Sequence, residues 1–266
     1  MLKPIRIQIA KVEIRKFVNL ASIIHYLKMT QKRWVIPDIH GYSQTLQALL
    51  DQIRPNKTDH LIFLGDYIDR GPNSKGVIDI IMELQDKGYR ITALIGNHEE
   101  FLLKSLHFAQ NKKGFFTAFK PNKIKKEWME FGGKDTLKSF GTKRMENIPQ
   151  KYIDWMKKLE YYLEFKDYII VHAGLNFRKE DVFSDKQTML WAKEFKVIPS
   201  KIAYRQLIHG HTPVDLEYIH HCINTEKQDF IDLDNGVYMT KKAGFGNLLA
   251  FELNSRLLIT QYNVEE

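Results

Sequence analysis

At 266 residues and 44% hydrophobic content, the chain fits one domain with a sizeable core. No apolar run approaches the roughly 20 residues of a membrane span, so no membrane partner is expected, and the single cysteine, Cys222, excludes an intramolecular disulfide and fits a reducing, cytoplasmic compartment. The net charge of +8 invites a nucleic-acid reading, but residues 1–28 carry +5 of it; no nucleic-acid partner is therefore expected.

In chain order, a basic extension (residues 1–31) comes first, and within it Ile5, Ile7 and Ile9 alternate with Arg6 and Gln8 as in a half-exposed strand. It reads either as an added strand or helix packed on the domain or as the product of a mis-assigned translation start. A targeting segment is disfavoured, because no small-residue cleavage site follows an adequate apolar core. Met29-Thr30-Gln31-Lys32-Arg33 looks like the natural start of a main domain over 32–266.

Trp34-Val35-Ile36 reads as a buried strand and delivers Asp38-Ile39-His40-Gly41. Leu46, Leu49, Leu50 and Ile53 then follow amphipathic-helix spacing. Leu61-Ile62-Phe63-Leu64 delivers Gly65-Asp66-Tyr67-Ile68-Asp69-Arg70-Gly71. The next helical face is Val77, Ile78, Ile81 and Leu84, with Asn73 or Ser74 as N-cap and Gly88 as stop. Residues 91–95 deliver Gly96-Asn97-His98-Glu99. Residues 101–165 leave this rhythm and read as a mostly helical insert, with aromatics such as Trp128 and Phe131 and a lysine-rich stretch over 112–126. Those side chains suit an acidic phosphopeptide or a nucleotide base, or else form a solvated face over a satellite core. Residues 168–171 deliver His172-Ala173-Gly174, and the weaker run Leu207-Ile208 delivers His209-Gly210-His211-Thr212-Pro213. Runs at 230–233, 237–239, 248–253 and 257–262 make the C-terminal part all-β, with a hairpin turn at Asn254-Ser255.

Five blocks thus sit just past strand C-termini, where open α/β sheets place their ligands. Asp38 and His40 stand two apart and project to one side of an extended strand end, although alone they would read as a cap and a turn histidine. Asp66 follows a glycine, and one carboxylate can bridge two ions about 3.5–4 Å apart. Arg70 offers a planar fork that matches a phosphate. Asn97 is an amide-oxygen ligand that leaves the adjacent His98 free to act as general acid, held by Asp69. Glu99 reads as a helix cap. His172 would be a core histidine in isolation, and His211 is a better ligand candidate than His209, which is expected to pack at the strand's last position.

Taken together, these motifs resemble the phosphoprotein phosphatase family of calcineurin-like metallophosphoesterases. The resemblance is strongest to bacterial and phage serine/threonine phosphatases and to symmetrical diadenosine tetraphosphatases, and it spans residues 34–262. It implies a four-layer α/β/β/α sandwich, with metal one on Asp38, His40 and the bridging Asp66. Metal two would take Asp66, Asn97, His172 and His211, with His98 and Asp69 as acid dyad and Arg70 as phosphate clamp. Pro213 stands where related diesterases carry a further histidine, which favours the phosphatase branch. Two departures stand out: Pro37 replaces the usual glycine, and Lys193, in Leu190-Trp191-Ala192-Lys193, replaces a second phosphate-binding arginine without its bidentate fork, unless Arg178 or Arg205 substitutes. The stretch Gly132-Gly133-Lys134-Asp135-Thr136-Leu137 resembles a segment of the bacterial members.

The expected activity is hydrolysis of phosphomonoesters, first of phosphoserine and phosphothreonine in proteins and also of phosphotyrosine, by hydroxide held on two divalent ions. The thiolate-free ligand set suits Mn, Fe or Zn, and the resemblance to bacterial members implies Mn. Symmetrical cleavage of bis(5'-nucleosyl) tetraphosphates is the enzymatic alternative, with a base held by the aromatics around Trp128. A non-catalytic binding module is disfavoured because all ligand positions and His98 are filled.

Overall fold

The computed structural model describes residues 31–110, 120–225 and 228–265. The proposed strand at Ile5, Ile7 and Ile9, and part of the lysine-rich stretch, lie outside the described residues.

Strand β1 (Arg33–Ile36) leads to helix α1 (Ser43–Ile53), β2 (His60–Phe63), α2 (Ser74–Asp86) and β3 (Arg90–Ala93). The three strands pair in parallel in the order β3-β2-β1. Both predicted helices bury the expected residues, except that Leu84 is only half-buried, and Asn73 is the N-cap of α2, accepting from the Gly76 N–H. The strand β1 ends at Ile36, so Pro37 falls beyond the ladder.

Helix α3 (Asn97–Gln110) opens the helical region, followed by α4 (Lys120–Trp128), a widened turn over Met129–Gly133, α5 (Lys134–Ser139) and α6 (Gln150–Met156). Next come β4 (Tyr162–Glu164), β5 (Tyr168–Val171), α7 (Lys186–Trp191), β6 (Gln206–His209), α8 (Leu216–Asn224) and β7 (Phe230–Asp232). These four strands form a second sheet, β4-β5-β6-β7, in which β5, β6 and β7 are parallel.

The terminal hairpin, β8 (Asn247–Glu252) and β9 (Leu258–Tyr262), turns at Asn254-Ser255 as expected and adds to the first sheet beside β1. The second sheet therefore comes from strands 162–232, and of the C-terminal runs only 230–232 joins it. Residues 237–239 are not a strand. Gly236, at φ +61, turns the chain back, and the Met239 N–H donates to the Gly236 carbonyl.

Strand alternation explains the sandwich. Val35, Ile62 and Phe251 point to the facing sheet and pack with Ile170, Ile208 and Ile231, while Trp34, Ile36, Leu61 and Phe63 pack against α1 and α2. On the outer face of the second sheet, Ile169, Val171 and Leu207 bury Met189 and Ile202. Cys222 is a buried free thiol in the inter-sheet cluster.

Candidate dinuclear metal centre

The loops after β1, β2, β3, β5 and β6 meet at one end of the sandwich. Their backbones are tied together: the Asp66 carbonyl accepts the N–H groups of Ile39 (3.1 Å) and His40 (2.8 Å), and Gly210 donates to the His172 carbonyl (2.8 Å). Close approach demands glycine. A Cβ on Gly96 would lie 2.1 Å from Asp66 Oδ1, and Gly65, at φ +114, faces Gly96 just as tightly. Among the described residues nine non-glycines have positive φ, and five of them are His40, Asp66, Asp69, Arg70 and His211. Backbone strain concentrated at one place marks a functional site.

All the expected ligands except part of His211 are buried. His40 Nδ1 donates to the Ile68 carbonyl and His172 Nδ1 to the Leu64 carbonyl, each at 3.0 Å. The Nε2 lone pairs of both rings are thereby turned toward Asp66, at 3.6 Å from its Oδ2 and Oδ1 respectively. One atom of the Asn97 carboxamide lies 3.0 Å from both His172 Nε2 and His211 Nδ1, and 3.2 and 3.3 Å from the two Asp66 oxygens. An amide N–H there can donate to these atoms, whereas the amide oxygen belongs there only with a cation between them. The donor set therefore fits metal. Among the described residues two groups could hold an ion, Asp66 with His172 and His211, and Asp66 with His40 and His98. Asp38 stands further round: its Oδ2 accepts the His211 N–H at 3.1 Å, and its Oδ1 lies 4.0 Å from His172 Nδ1.

The electrostatics agree. Burial, then the charges of Asp234 and Asp66, push the Asp38 carboxyl well above its usual range. Burial also opposes ionisation of Asp66, but the surrounding imidazoles of His172, His98, His40 and His211 outweigh it and hold that carboxyl low. Burial, then His172, pushes His211 down to about 3, so its ring is neutral and can act as a ligand.

His98 Nδ1 donates to Asp69 Oδ2 at 2.7 Å, while its Nε2 faces the cluster, 3.8 Å from Asp66 Oδ2. Burial lowers its pKa, but Asp66 and Asp69 together raise it above the usual value. Exposed Arg70 lays its guanidinium 4.3 Å over the Tyr238 ring, with Nη2 3.4 Å from His98 Nε2. Lys193 is not brought into this cluster; it lies on the edge of a cavity of about 550 Å³ lined also by Phe195, Thr212 and Asp232. Arg205 is committed to Glu164 at 2.6 Å. As expected, His209 packs at the end of β6, between the rings of Phe195 and Phe230.

Several roles are not legible in the motifs. Glu99 does more than cap α3: its buried carboxylate accepts the N–H groups of Asp66, Gly96, Tyr67 and Ile68 at 2.8–3.2 Å. Trp128 is fully buried and donates to Asp69 Oδ2 at 3.0 Å, so its ring is not free to hold a base. Thr136 donates to Asp69 Oδ1 at 2.6 Å; the Gly-Gly-x-x-Thr spacing is the one signal that points to it. Half-exposed Phe131 lies 6.3 Å from His98, and Phe101 and Trp191 continue an aromatic rim to His211.

A family model described as calcineurin-like phosphoesterase matches residues 32–215. The chain belongs to the calcineurin-like phosphoesterase family. As such it is a metal-dependent phosphoric ester hydrolase, built on divalent-metal chemistry. This calcineurin-like phosphoesterase is 27% identical over 233 residues to the asymmetrical bis(5'-nucleosyl)-tetraphosphatase PrpE of Oceanobacillus iheyensis, covering 72% of this chain and 82% of that one. It is 29% identical over 199 residues to the symmetrical bis(5'-nucleosyl)-tetraphosphatase of Legionella pneumophila, covering 70% of each. Serine/threonine-protein phosphatase 2 of Escherichia coli is 43% identical over 74 residues, which cover 27% of this chain and 31% of that protein. Among solved structures, a protein serine/threonine phosphatase from Saccharomyces cerevisiae superposes with a TM-score of 0.59 at 16% identity, covering 89% of this chain and 81% of that one. That likeness speaks to the fold.

Proposed function

We propose that this phosphoesterase is a dinuclear-metal phosphatase of phosphomonoesters on proteins, with phosphoserine and phosphothreonine as first substrates, and with His98 as general acid. The observation that carries this reading is the convergence of Asp66, His172 and His211 within 3.0–3.3 Å of one atom of the Asn97 carboxamide, beside an imidazole fixed by Asp69.

Asp38, His40 and Asp66 would hold one ion, and Asp66, Asn97, His172 and His211 the other. When bound, the ions, with Mn as the expected metal of a bacterial-type member, supply charge neutralisation and lower the pKa of water toward about 7. The side chains do the rest. Arg70, its ring contact with Tyr238 setting its orientation, clamps the phosphoryl oxygens. Lys193, further out, supplies charge for remote anionic parts of the substrate. In hydrolysis the oxygen of water bonds to phosphorus and the P–O ester bond breaks. The ester oxygen leaves with the bond's electron pair and takes the proton from His98 Nε2, while the attacking water releases a proton to solvent, from which His98 is re-protonated for the next turnover. Asp69, fully buried, stabilises the imidazolium before transfer.

A second reading, cleavage of bis(5'-nucleosyl) tetraphosphates, is supported by the names of relatives that match some 70% of the chain. Mn-supplemented initial rates on phosphoserine and phosphotyrosine peptides beside diadenosine tetraphosphate, with chelator and Asp66→Asn controls, separate the two. Faster peptide turnover upholds the phosphatase reading, and preferred cleavage of the dinucleotide replaces it. No chelator-sensitive turnover of either substrate defeats both.

A further inference from the structure

We propose that the helical insert is part of the acid machinery, with Trp128 and Thr136 as positioning residues. They fix the Asp69 carboxylate and, through it, the His98 imidazole in the orientation that proton donation requires. The inference rests on His98 being the acid of the proposed reaction.

A carboxylate has about four lone-pair positions, and a buried one held by a single donor is free to turn, whereas donors on both oxygens fix its plane. Asp69 is fully buried and has no such freedom. Its Oδ2 accepts both His98 Nδ1 at 2.7 Å and Trp128 Nε1 at 3.0 Å, and its Oδ1 accepts the Thr136 hydroxyl at 2.6 Å. The same hydroxyl oxygen accepts the Asp69 backbone N–H at 2.8 Å and lies 3.1 Å from Ser74 Oγ. One threonine therefore grips the aspartate at both its main chain and its side chain.

The insert also presses on the turn itself. Asp69 and Arg70 both have left-handed backbones, at φ 70 and φ 69, which persist only where the surroundings over-determine them. Gly132 supplies that constraint: at φ +116 its backbone lies so close that a Cβ would sit 2.6 Å from the Arg70 nitrogen. Neither Trp128 nor Thr136 is exposed at all, so neither is available to bind substrate. Their polar hydrogens are spent on the one carboxylate that holds the acid. Packing alone would place a tryptophan or threonine there without aiming either donor.

The test compares Trp128→Phe and Thr136→Val, which remove one donor each, with Thr136→Ser, which keeps the hydroxyl. Rates are measured on a phosphoserine peptide, whose alkoxide must be protonated as it leaves, and on 2,4-dinitrophenyl phosphate, whose leaving group needs no proton. Expected are losses of about ten- to a hundredfold in kcat on the peptide, the scale of outer-shell substitutions, with little change on the aryl ester or in KM, and recovery in Thr136→Ser. Equal losses on both substrates would reduce the two residues to packing and overturn the proposal. An NMR readout needs no substrate. The His98 Nδ1–H resonance, expected to be protected in the parent protein by burial and its bond to Asp69, should broaden or shift in Thr136→Val and Trp128→Phe. An unchanged resonance overturns the positioning role even where the substrate class has been misread, whereas a parent enzyme inert toward every phosphoester defeats the functional reading alone.

Discussion

Glu99 and Asp66 are joined through the backbone: the Glu99 carboxylate, wholly buried, accepts the Asp66 N–H at 2.9 Å. The same group takes the N–H of Gly96 on that oxygen and those of Tyr67 and Ile68 on the other. It thus sets the left-handed turn that presents the Asp66 carboxylate. Burial and the Asp66 charge push the Glu99 carboxyl up to about 8, against the pull of these donors.

Glu99→Gln puts an amide NH2 against two of the four N–H groups and leaves buried donors unpaired. A loss of about 2–5 kcal/mol in stability is expected, read as a lower denaturant midpoint at constant slope. An unchanged midpoint would mean that the turn is fixed by other contacts.

Metal should stabilise the fold. At about a hundredfold excess over its Kd, a bound ion adds about 2.7 kcal/mol. Calorimetry with and without Mn should show a rise in Tm of several degrees that chelator reverses and Asp66→Asn abolishes. Identical melting curves in the parent protein would count against the centre.

Tyr238 orients Arg70 and also meets the His40 ring edge-on at 5.5 Å. Cation–π contacts contribute about 0.5–2 kcal/mol, so Tyr238→Leu should raise KM for a phosphoester by about two- to thirtyfold, with a smaller effect on kcat. A kcat defect at constant KM would show that Tyr238 acts on the chemistry and not on the clamp.

His60 makes stability pH-dependent. Burial, then the charges of Arg90 and Arg33, lowers its pKa to about 4, while Nε2 bonds to Thr92 Oγ1 at 2.8 Å. The folded pKa lies below the unfolded value of about 6.5, so the unfolded chain binds the extra proton between the two. Stability is therefore full above pH 6.5 and is lost as the pH falls toward 4. His60→Gln should flatten the fall in urea midpoint across that window relative to the parent, and parallel curves would refute it.

The residues visible in the sequence are those whose partners are close by or whose spacing is peculiar. Asp69 and His98 can be paired because glycine-flanked polar blocks after apolar runs rarely serve packing alone. Glu99 reads as a cap because a local pattern shows only its own helix, whereas three of its four partners lie more than 30 residues away. Trp128 looks like an exposed aromatic among lysines; nothing local signals a hydrogen bond to Asp69, 59 residues earlier. The terminal hairpin is legible as a hairpin, but its sheet is not. Alternating Leu248, Ala250 and Leu249, Phe251 would suit either sheet, and pairing with β1 decides which face meets which core. Residues 237–239 are apolar enough for a strand, yet the turn at Gly236 redirects Tyr238 to Arg70.

The two sheets contribute to the centre unequally, and that sets an order of assembly. Asp38, His40, Asp66 and Asn97 come from adjacent parallel strands at the start of the domain, whereas His172 and His211 follow strands of the other sheet. On the proposed assignment, the three residues of the first set, Asp38, His40 and Asp66, are all translated well before β6. The second set cannot close until the sheets have docked. On that assignment catalytic competence is expected only once both sets are closed, so a product truncated ahead of His211 should be inert instead of partly active.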